Sequence, residues 1–371
     1  MTDLVVVSLE AWDEVWRRNQ HLLSRLLERD PQLRVLFVEP AADPLHDLAS
    51  KRRPARGFRP VAAGFDGRLL RFRPMKLLPR RLDRRADRRL AHAVRRAAEK
   101  ATMTRPLLWL NDPRAADVAR SAHWPTLYDI TDDWLAADRP PAELDRLRRG
   151  EEWLLDNAAA VVACSHELVR RKTPVRADIE LIPNAVDVAA YRSAKPRPAD
   201  LAAVAAVYAG TLHRDRLDVD LCIATARALA GRGSVVLVGP DALEAVDTAR
   251  LRAGGVVVLG ARRRDDVIAY LQHADVLLVP HVVDSFTDSL DPIKLYEYAA
   301  VGRPVVATPV AGFRDAADPR VRLAEASAFP TVVTSLLPSW SRFPDGADGP
   351  SPDWNDRAIA MRAVIERMRP D

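Results

Sequence analysis

The chain has 371 residues, of which 48% are apolar and 29% charged, values close to those of soluble globular proteins. These figures exclude a disordered, collagen-like or disulfide-scaffolded chain, and the length implies about two domains. The 56 Lys and Arg against 51 Asp and Glu leave a net charge of +5, a mild basic excess.

Strand-like and helix-like segments alternate along nearly the whole chain. The first half offers strands at Leu4–Leu9, Arg34–Pro40, Leu107–Pro113, Thr126–Ile130, Ala160–Ser165 and Ile179–Pro183. Each is apolar on both faces, as strands of a covered parallel sheet must be. Helical patterns lie between them at Val15–Arg29, Arg84–Lys100 and Pro141–Asn157. The second half repeats the scheme. Strands are expected at Val204–Leu212, Ser234–Pro240, Val256–Gly260, Asp275–His281 and Pro304–Pro309, with helices at Asp218–Arg232, Arg264–His273 and Ile293–Val301. Two such runs predict an α/β protein of two doubly wound, Rossmann-like domains.

RSAKPRPAD, after Tyr191, is rich in Pro and charge and reads as a linker. The expected domains are therefore 1–192, completed by a C-terminal helix over 354–369, and 200–340. Cys164 and Cys222 are far apart, which suits a reducing compartment. The N-terminal MTDLVVVSLEAW has no basic segment of a signal peptide, and no apolar run reaches the ~20 residues that span a bilayer. A cytoplasmic location is expected. The arginine-rich stretch 76–105 is a candidate contact with the anionic inner membrane face, or simply a solvated helix face. No aromatic residues interleave with its arginines, so nucleic acid is not an expected partner.

Ligands of open parallel sheets gather at the carboxyl ends of the strands. Those ends carry Asn111 and Asp129–Asp133 in the first half, and Gly210/Thr211, Gly239, Gly260/Arg262 and His281 in the second. The most informative segment is DPIKLYEYAAVGRPVVATPVAGF, Asp291–Phe313. Pro292 suits a helix start, where free amides can bind an anion. Lys294 falls in the first turn, an unfavourable place for a cation unless an anion binds nearby. Glu297 lies one turn on and can accept hydroxyl hydrogen bonds.

This segment resembles the donor-site signature of GT-B glycosyltransferases, most closely the bacterial teichuronic acid biosynthesis and exopolysaccharide (family-four-like) enzymes. SLEAWDEVWRRNQHLLSRL, LWLNDP, YDITDDW, IPNAVD, YAGTLHRDRLD and VVVLGARRRDDV have counterparts there in the same order. The resemblance implies two Rossmann-like domains facing across a cleft and a nucleotide-diphosphate sugar as donor, linked to UDP, GDP or dTDP. It implies no cofactor and no metal. Lys294 would hold the pyrophosphate and Glu297 the ribose. Gly210 and Thr211 would form the loop under the phosphates, Arg216 would add charge, and Arg262 would lie where the base is read.

One departure stands out: related retaining enzymes carry a glutamate eight residues before Glu297, where this chain has Ser289, flanked by Asp288 and Asp291. In YDITDDW, crowded carboxylates raise one pKa, which suits a general base for an acceptor hydroxyl. Similar enzymes place a base aspartate in this region, so the resemblance favours Asp132, with Asp133 second; Asp129, nearest the strand, is read as structural. Trp12, Trp16 and His21 either meet substrate or pack. The activity expected is sugar transfer to an acceptor hydroxyl of a surface glycan, a lipid-linked molecule or a natural product. A non-catalytic nucleotide-sugar binder and a UDP-sugar 2-epimerase are the alternatives.

Overall fold

Valine-rich and leucine-rich runs with little room for polar side chains become strands covered on both faces. In the computed structural model, which describes residues 2–13, 16–42, 56–59, 64–76, 83, 85–137, 139–284, 287–289, 291–337 and 352–369, these strands form two sheets. The chain divides into one unit of residues 1–183 with 355–371 and a second of residues 184–354.

The first sheet contains β1 (Thr2–Val7), β2 (Leu33–Val38), β3 (Gly57–Arg59), β4 (Leu69–Arg73), β5 (Leu107–Leu110), β6 (Thr126–Ile130), β7 (Ala160–Ala163) and β8 (Glu180–Leu181). Their order is β3-β4-β2-β1-β5-β6-β7-β8. Every pairing is parallel except β3 with β4. One face buries Val5, Leu36, Leu108, Tyr128 and Val161 in a core that also takes Ala91, Val94 and Ala98 of the Ala86–Lys100 helix and Leu154 of the Pro141–Asn157 helix.

The second sheet contains β9 (Ala205–Ala209), β10 (Ser234–Val238), β11 (Val257–Gly260), β12 (Val276–Val279), β13 (Val305–Ala307) and β14 (Val321–Leu323), all parallel, in the order β11-β10-β9-β12-β13-β14. Counted within the unit this is 3-2-1-4-5-6, the doubly wound order, and its direction reverses between β9 and β12. Successive β9 residues alternate between two cores. Ala205, Val207 and Ala209 pack with the Arg264–Gln272 and Ile293–Val301 helices. Ala206 and Tyr208 pack with the Val219–Ala228 and Phe329–Leu336 helices.

Three local differences from the sequence reading have physical causes. The first helix begins at Arg18 rather than Val15. Strand β4 is interrupted by arginines, and Arg71 is bound by the buried Glu39, so a parallel strand lies where apolar periodicity is weak. The unit boundary falls at Pro183/Asn184, ahead of the charged linker. Asn184 bonds Asp291, Val186 bridges Asp353, and Tyr191 joins the second core. The Trp354–Arg367 helix lies, after its first residue, in the first unit. There Arg29 reaches Asn355 and Arg367 pairs with Glu180.

Gly150, inside the Pro141–Asn157 helix, has no space for a side chain: a Cβ there would drive into the backbone carbonyl of Pro113. In an ordinary helix interior, Gly→Ala stabilises by up to about 1 kcal/mol. Here Gly150→Ala is expected to destabilise by about 1–3 kcal/mol, the usual cost of overpacking, measurable by urea unfolding. A more stable variant would contradict this packing.

Candidate functional site

In the second unit the carboxyl edge of the sheet is made of glycine turns stacked on each other. The Gly210 amide donates to Val238 at 2.8 Å and the Gly239 amide to Gly260 at 2.9 Å, tying the ends of β9, β10 and β11 together. Gly210 and Gly239 adopt φ of 148° and 147°, a backbone that favours glycine. A Cβ on Gly239 would strike the Gly210 carbonyl. The chain can therefore turn at this edge without side chains between the strand ends, which leaves room for a neighbouring side chain over Gly210.

The Ile293–Val301 helix is set against the switch point by Tyr298. Its hydroxyl accepts from the Ala209 amide at 3.2 Å and donates to the Leu278 carbonyl at 3.3 Å, holding the helix to β9 and β12. Gly302, left-handed at φ 76°, ends the helix. At its other end, Pro292 precedes the first turn and packs against Gly312.

Lys294 is thereby laid over Gly210. A Cβ on Gly210 would meet Lys294 Nζ at 2.5 Å and Cε at 2.7 Å. The ammonium sits 5.0 Å from the centre of the Tyr208 ring, a cation–π contact. Burial pushes the Lys294 pKa down to about 8; Glu297 opposes the shift and Arg216 adds to it. Among the described residues no carboxylate forms an ion pair with Lys294. His281, 3.3 Å from the Tyr208 hydroxyl through Nε2, is driven well below its ordinary value by burial, then by Lys294 and Arg216, and stays neutral. Glu297 accepts a hydrogen bond from Tyr191. Burial raises its pKa against the pull of Tyr191, Lys294 and Arg264.

The structure thus brings Gly210, Thr211, Arg216, Lys294 and Glu297 to one sheet edge. It does not place Arg262 with them as a reader of a base. That guanidinium turns back to the Leu259 carbonyl at 2.8 Å and to Asp200, in the segment before β9, at 3.1 Å, which ties its own loop to that segment. Asp291 is equally committed: its carboxylate accepts from the Asn184 amide at 2.6 Å and from Tyr296 at 2.7 Å. Asp288 pairs with Arg314, and Ser289 is fully buried. Ser285, Phe286 and Leu290 of the same segment lie outside the described residues. Tyr208, Tyr298 and Tyr191 escaped sequence reasoning, because a tyrosine in an apolar strand or helix reads as core.

In the first unit, Asp129 is fully buried and bidentate with Arg18, whose Nε lies 3.0 Å from Oδ2. It also accepts from Trp109 Nε1 and Asn111, which makes it a structural anchor. Asp133 corrects the expectation of a second candidate base. It is buried and salt-bridged to Arg171 at 2.8 Å and Lys172 at 3.1 Å, and Lys172 also pairs with Glu151 at 2.8 Å. Burial opposes its ionisation, but the two cations outweigh burial and hold the carboxyl below its ordinary value. Carboxylate crowding does not govern this residue because cations fill the space between the acids. Asp132 is half-buried and accepts from the Thr131 hydroxyl at 3.1 Å. Trp12 packs edge-on to Phe37 at 5.1 Å, and His21 is buried against Trp16 at 5.3 Å.

Residues 203–337 match the family described as glycosyl transferases group 1, so the Lys294 edge lies in a glycosyl transferase group 1 domain. No curated protein sequence matches the chain. Sucrose-phosphate synthase from Thermosynechococcus elongatus superposes with a TM-score of 0.73 at 17% identity, covering 99% of both chains. An alpha,alpha-trehalose-phosphate synthase (UDP-forming) from Burkholderia vietnamiensis gives 0.61 at 11% identity, over 100% of this chain and 93% of that one. Anabaena HepE, solved in complex with UDP, gives 0.56 at 16% identity, over 99% and 97%. These likenesses establish the GT-B fold, and with the family match they make the chain a glycosyltransferase.

Removing one member of a buried ion pair strands its partner, at a cost of about 3–5 kcal/mol. Asp133→Asn is expected to lie at the lower end, because Lys172 keeps Glu151 and Arg171 keeps Glu167. A carboxyl whose folded pKa is depressed stabilises above its unfolded pKa and loses that contribution as pH falls through the folded value. The wild type should therefore lose this stability below about pH 4, whereas the variant's unfolding curves should lack that component. Equal unfolding midpoints for both proteins at pH 7 would refute the network.

Proposed function

We propose that the chain transfers a sugar from a nucleotide-diphosphate sugar to an acceptor hydroxyl, with its second unit holding the donor. The observation that carries this reading is Lys294: a desolvated ammonium with no ion-pair partner among the described residues, laid on Gly210 at the switch point beside the glycine turns. A pyrophosphate there would meet Lys294, the first amides of the Ile293–Val301 helix and the charge of Arg216. Glu297 would accept from the ribose hydroxyls. UDP is the nucleotide with which the fold neighbour HepE was solved, which favours a UDP-linked donor. The family match favours transfer over epimerisation.

In this reading Asp132 acts as the base. As the bond from the acceptor oxygen to the anomeric carbon forms, the hydroxyl proton passes to Asp132. The bond from the anomeric carbon to the phosphate oxygen breaks, and the nucleotide diphosphate leaves with its charge held by Lys294 and Arg216. No cofactor is needed for that compensation. The teichuronic acid or exopolysaccharide type of acceptor remains part of the proposal. It is supported by a groove lined by Arg88, His92, Arg95 and Arg120, with Asp117 as its acid. An anionic or lipid-linked acceptor fits such a lining, as does peripheral attachment of 76–105 to an anionic membrane. Of that stretch, 77–82 and 84 lie outside the described residues. Among the described residues no helix is long and apolar enough to cross a membrane.

UDP at 100-fold over its dissociation constant should stabilise the wild type by about 2.7 kcal/mol, seen as a rise in melting temperature that Lys294→Ala abolishes. A bound diphosphate returns the lysine toward its ordinary pKa, so binding near pH 8.5 should take up a proton and weaken as pH rises from 8 to 10. Asp132→Asn should keep the UDP shift and lose transfer. Failure of UDP, GDP and dTDP alike to stabilise the wild type would remove the donor assignment. For the membrane contact, the protein should float with phosphatidylglycerol vesicles but not phosphatidylcholine vesicles, and high salt should release it. Equal flotation with both would refute an anionic surface.

A further inference from the structure

The carboxylate assigned above to the donor ribose is not held by its own helix. Tyr191, buried on the Val188–Arg192 helix, donates its hydroxyl to Glu297 Oε1. That short helix belongs to the first segment of the second unit and is itself clamped. Gln272 Nε2 donates to the Tyr191 and Ser193 carbonyls, both at 2.8 Å. Arg264 pairs with Asp187 at 3.0 Å, and Asp187 caps the helix through the Ala190 amide at 3.2 Å. Six residues before Glu297, Asn184 grips Asp291 through both its backbone and its side-chain amide. Residues 184–193 therefore hold the donor helix at two points that bracket Lys294.

We infer that Tyr191 is a positioning residue for nucleotide binding: it fixes the rotamer of the Glu297 carboxylate and occupies one oxygen, so that the remaining lone pairs face a ribose diol. The inference rests on the reading of Glu297 as the ribose acceptor. A buried carboxylate on a helix has several rotamers, and a phenol at hydrogen-bond distance selects one of them, which lowers the ordering cost of binding. The same bond favours the charged acceptor. The groups facing Glu297 are Tyr191 from the Val188–Arg192 helix, Arg264 from the Arg264–Gln272 helix, and Lys294 and Tyr298 from its own helix. Tyr191→Phe leaves charge and volume nearly unchanged and, unlike Tyr298→Phe, removes a hydrogen bond made to Glu297 itself, so it is a clean probe.

UDP and 2′-deoxy-UDP affinities of the full chain would be measured by calorimetry across pH 5–8, for wild type, Tyr191→Phe, Glu297→Gln and the double variant. Tyr191→Phe should melt near the wild-type temperature and bind UDP about tenfold more weakly, the scale of one hydrogen bond to a charged group. Its preference for UDP over 2′-deoxy-UDP should shrink. Its affinity should fall on acidification about one pH unit sooner, because Glu297 has lost the donor that favours its ionised form. In the Glu297→Gln background the Tyr191 change should have no further effect. Unchanged UDP affinity in Tyr191→Phe, or an equal loss with and without Glu297, would overturn the inference while leaving the ribose assignment intact. If Glu297→Gln alone binds UDP as the wild type does, the ribose assignment itself falls, and the inference with it.

Discussion

The close approach of Lys294 to Gly210 is the constraint on which the second unit turns. A lysine in the first turn of a helix, facing the positive end of the helix dipole, is badly placed unless an anion is near. It is tolerated because its ammonium lies over the Tyr208 ring and its stem over a residue without a side chain. Each neighbour then has a restricted identity. Gly210 leaves room for the lysine, Gly239 leaves room for the Gly210 carbonyl, and Tyr298 sets the height of the helix against β9 and β12. The proposed diphosphate would relieve the arrangement from outside.

The two units treat buried charge in opposite ways. In the first, every buried acid of the β6 end has cations built against it: Asp129 has Arg18, and Asp133 has Arg171 and Lys172. Such pairs contribute little net stability beyond their desolvation cost, yet are costly to break. They suit a scaffold that fixes a loop. In the second unit the cationic side chains Lys294 and Arg216 gather beside a histidine that stays neutral, and the nearby carboxylate, Glu297, is turned to a tyrosine. The first pattern is self-neutralised; the second leaves positive charge at the sheet edge, as the proposed donor site requires.

Much of this was legible in the sequence. Ile293–Val301 and Pro141–Asn157 are the helices their periodicity predicts, and Thr126–Ile130 is a strand with the expected bounds. The residues proposed for the donor could be singled out because chemistry out of place, a lysine at a helix start and glycines after strands, is visible without coordinates. What escaped notice was what tertiary packing decides. Asp132 and Asp133 are adjacent in sequence, and only the Lys172 and Arg171 partners, about forty residues on, separate a structural acid from a candidate base. Arg262 has the right position after Gly260, but Asp200 and the Leu259 carbonyl claim it. Strand β4 was hidden because Arg71 and Arg73 break its apolar run, and the partner that makes Arg71 acceptable inside the sheet, Glu39, belongs to another strand end.

The unit boundary carries the same lesson into function. Composition places the linker after Tyr191, where Pro and charge accumulate, but hydrogen bonding places the transition at Asn184. Those eight residues are where the chain first grips the Lys294 helix segment, at Asp291 through Asn184 and at Glu297 through Tyr191. A segment that reads as the tail of one domain is in fact bonded just ahead of the helix that carries Lys294 and again in its second turn. The geometry of that helix is therefore fixed by the β9 and β12 ends on one side and by this segment on the other. A change in either support is felt at the same carboxylate and the same ammonium.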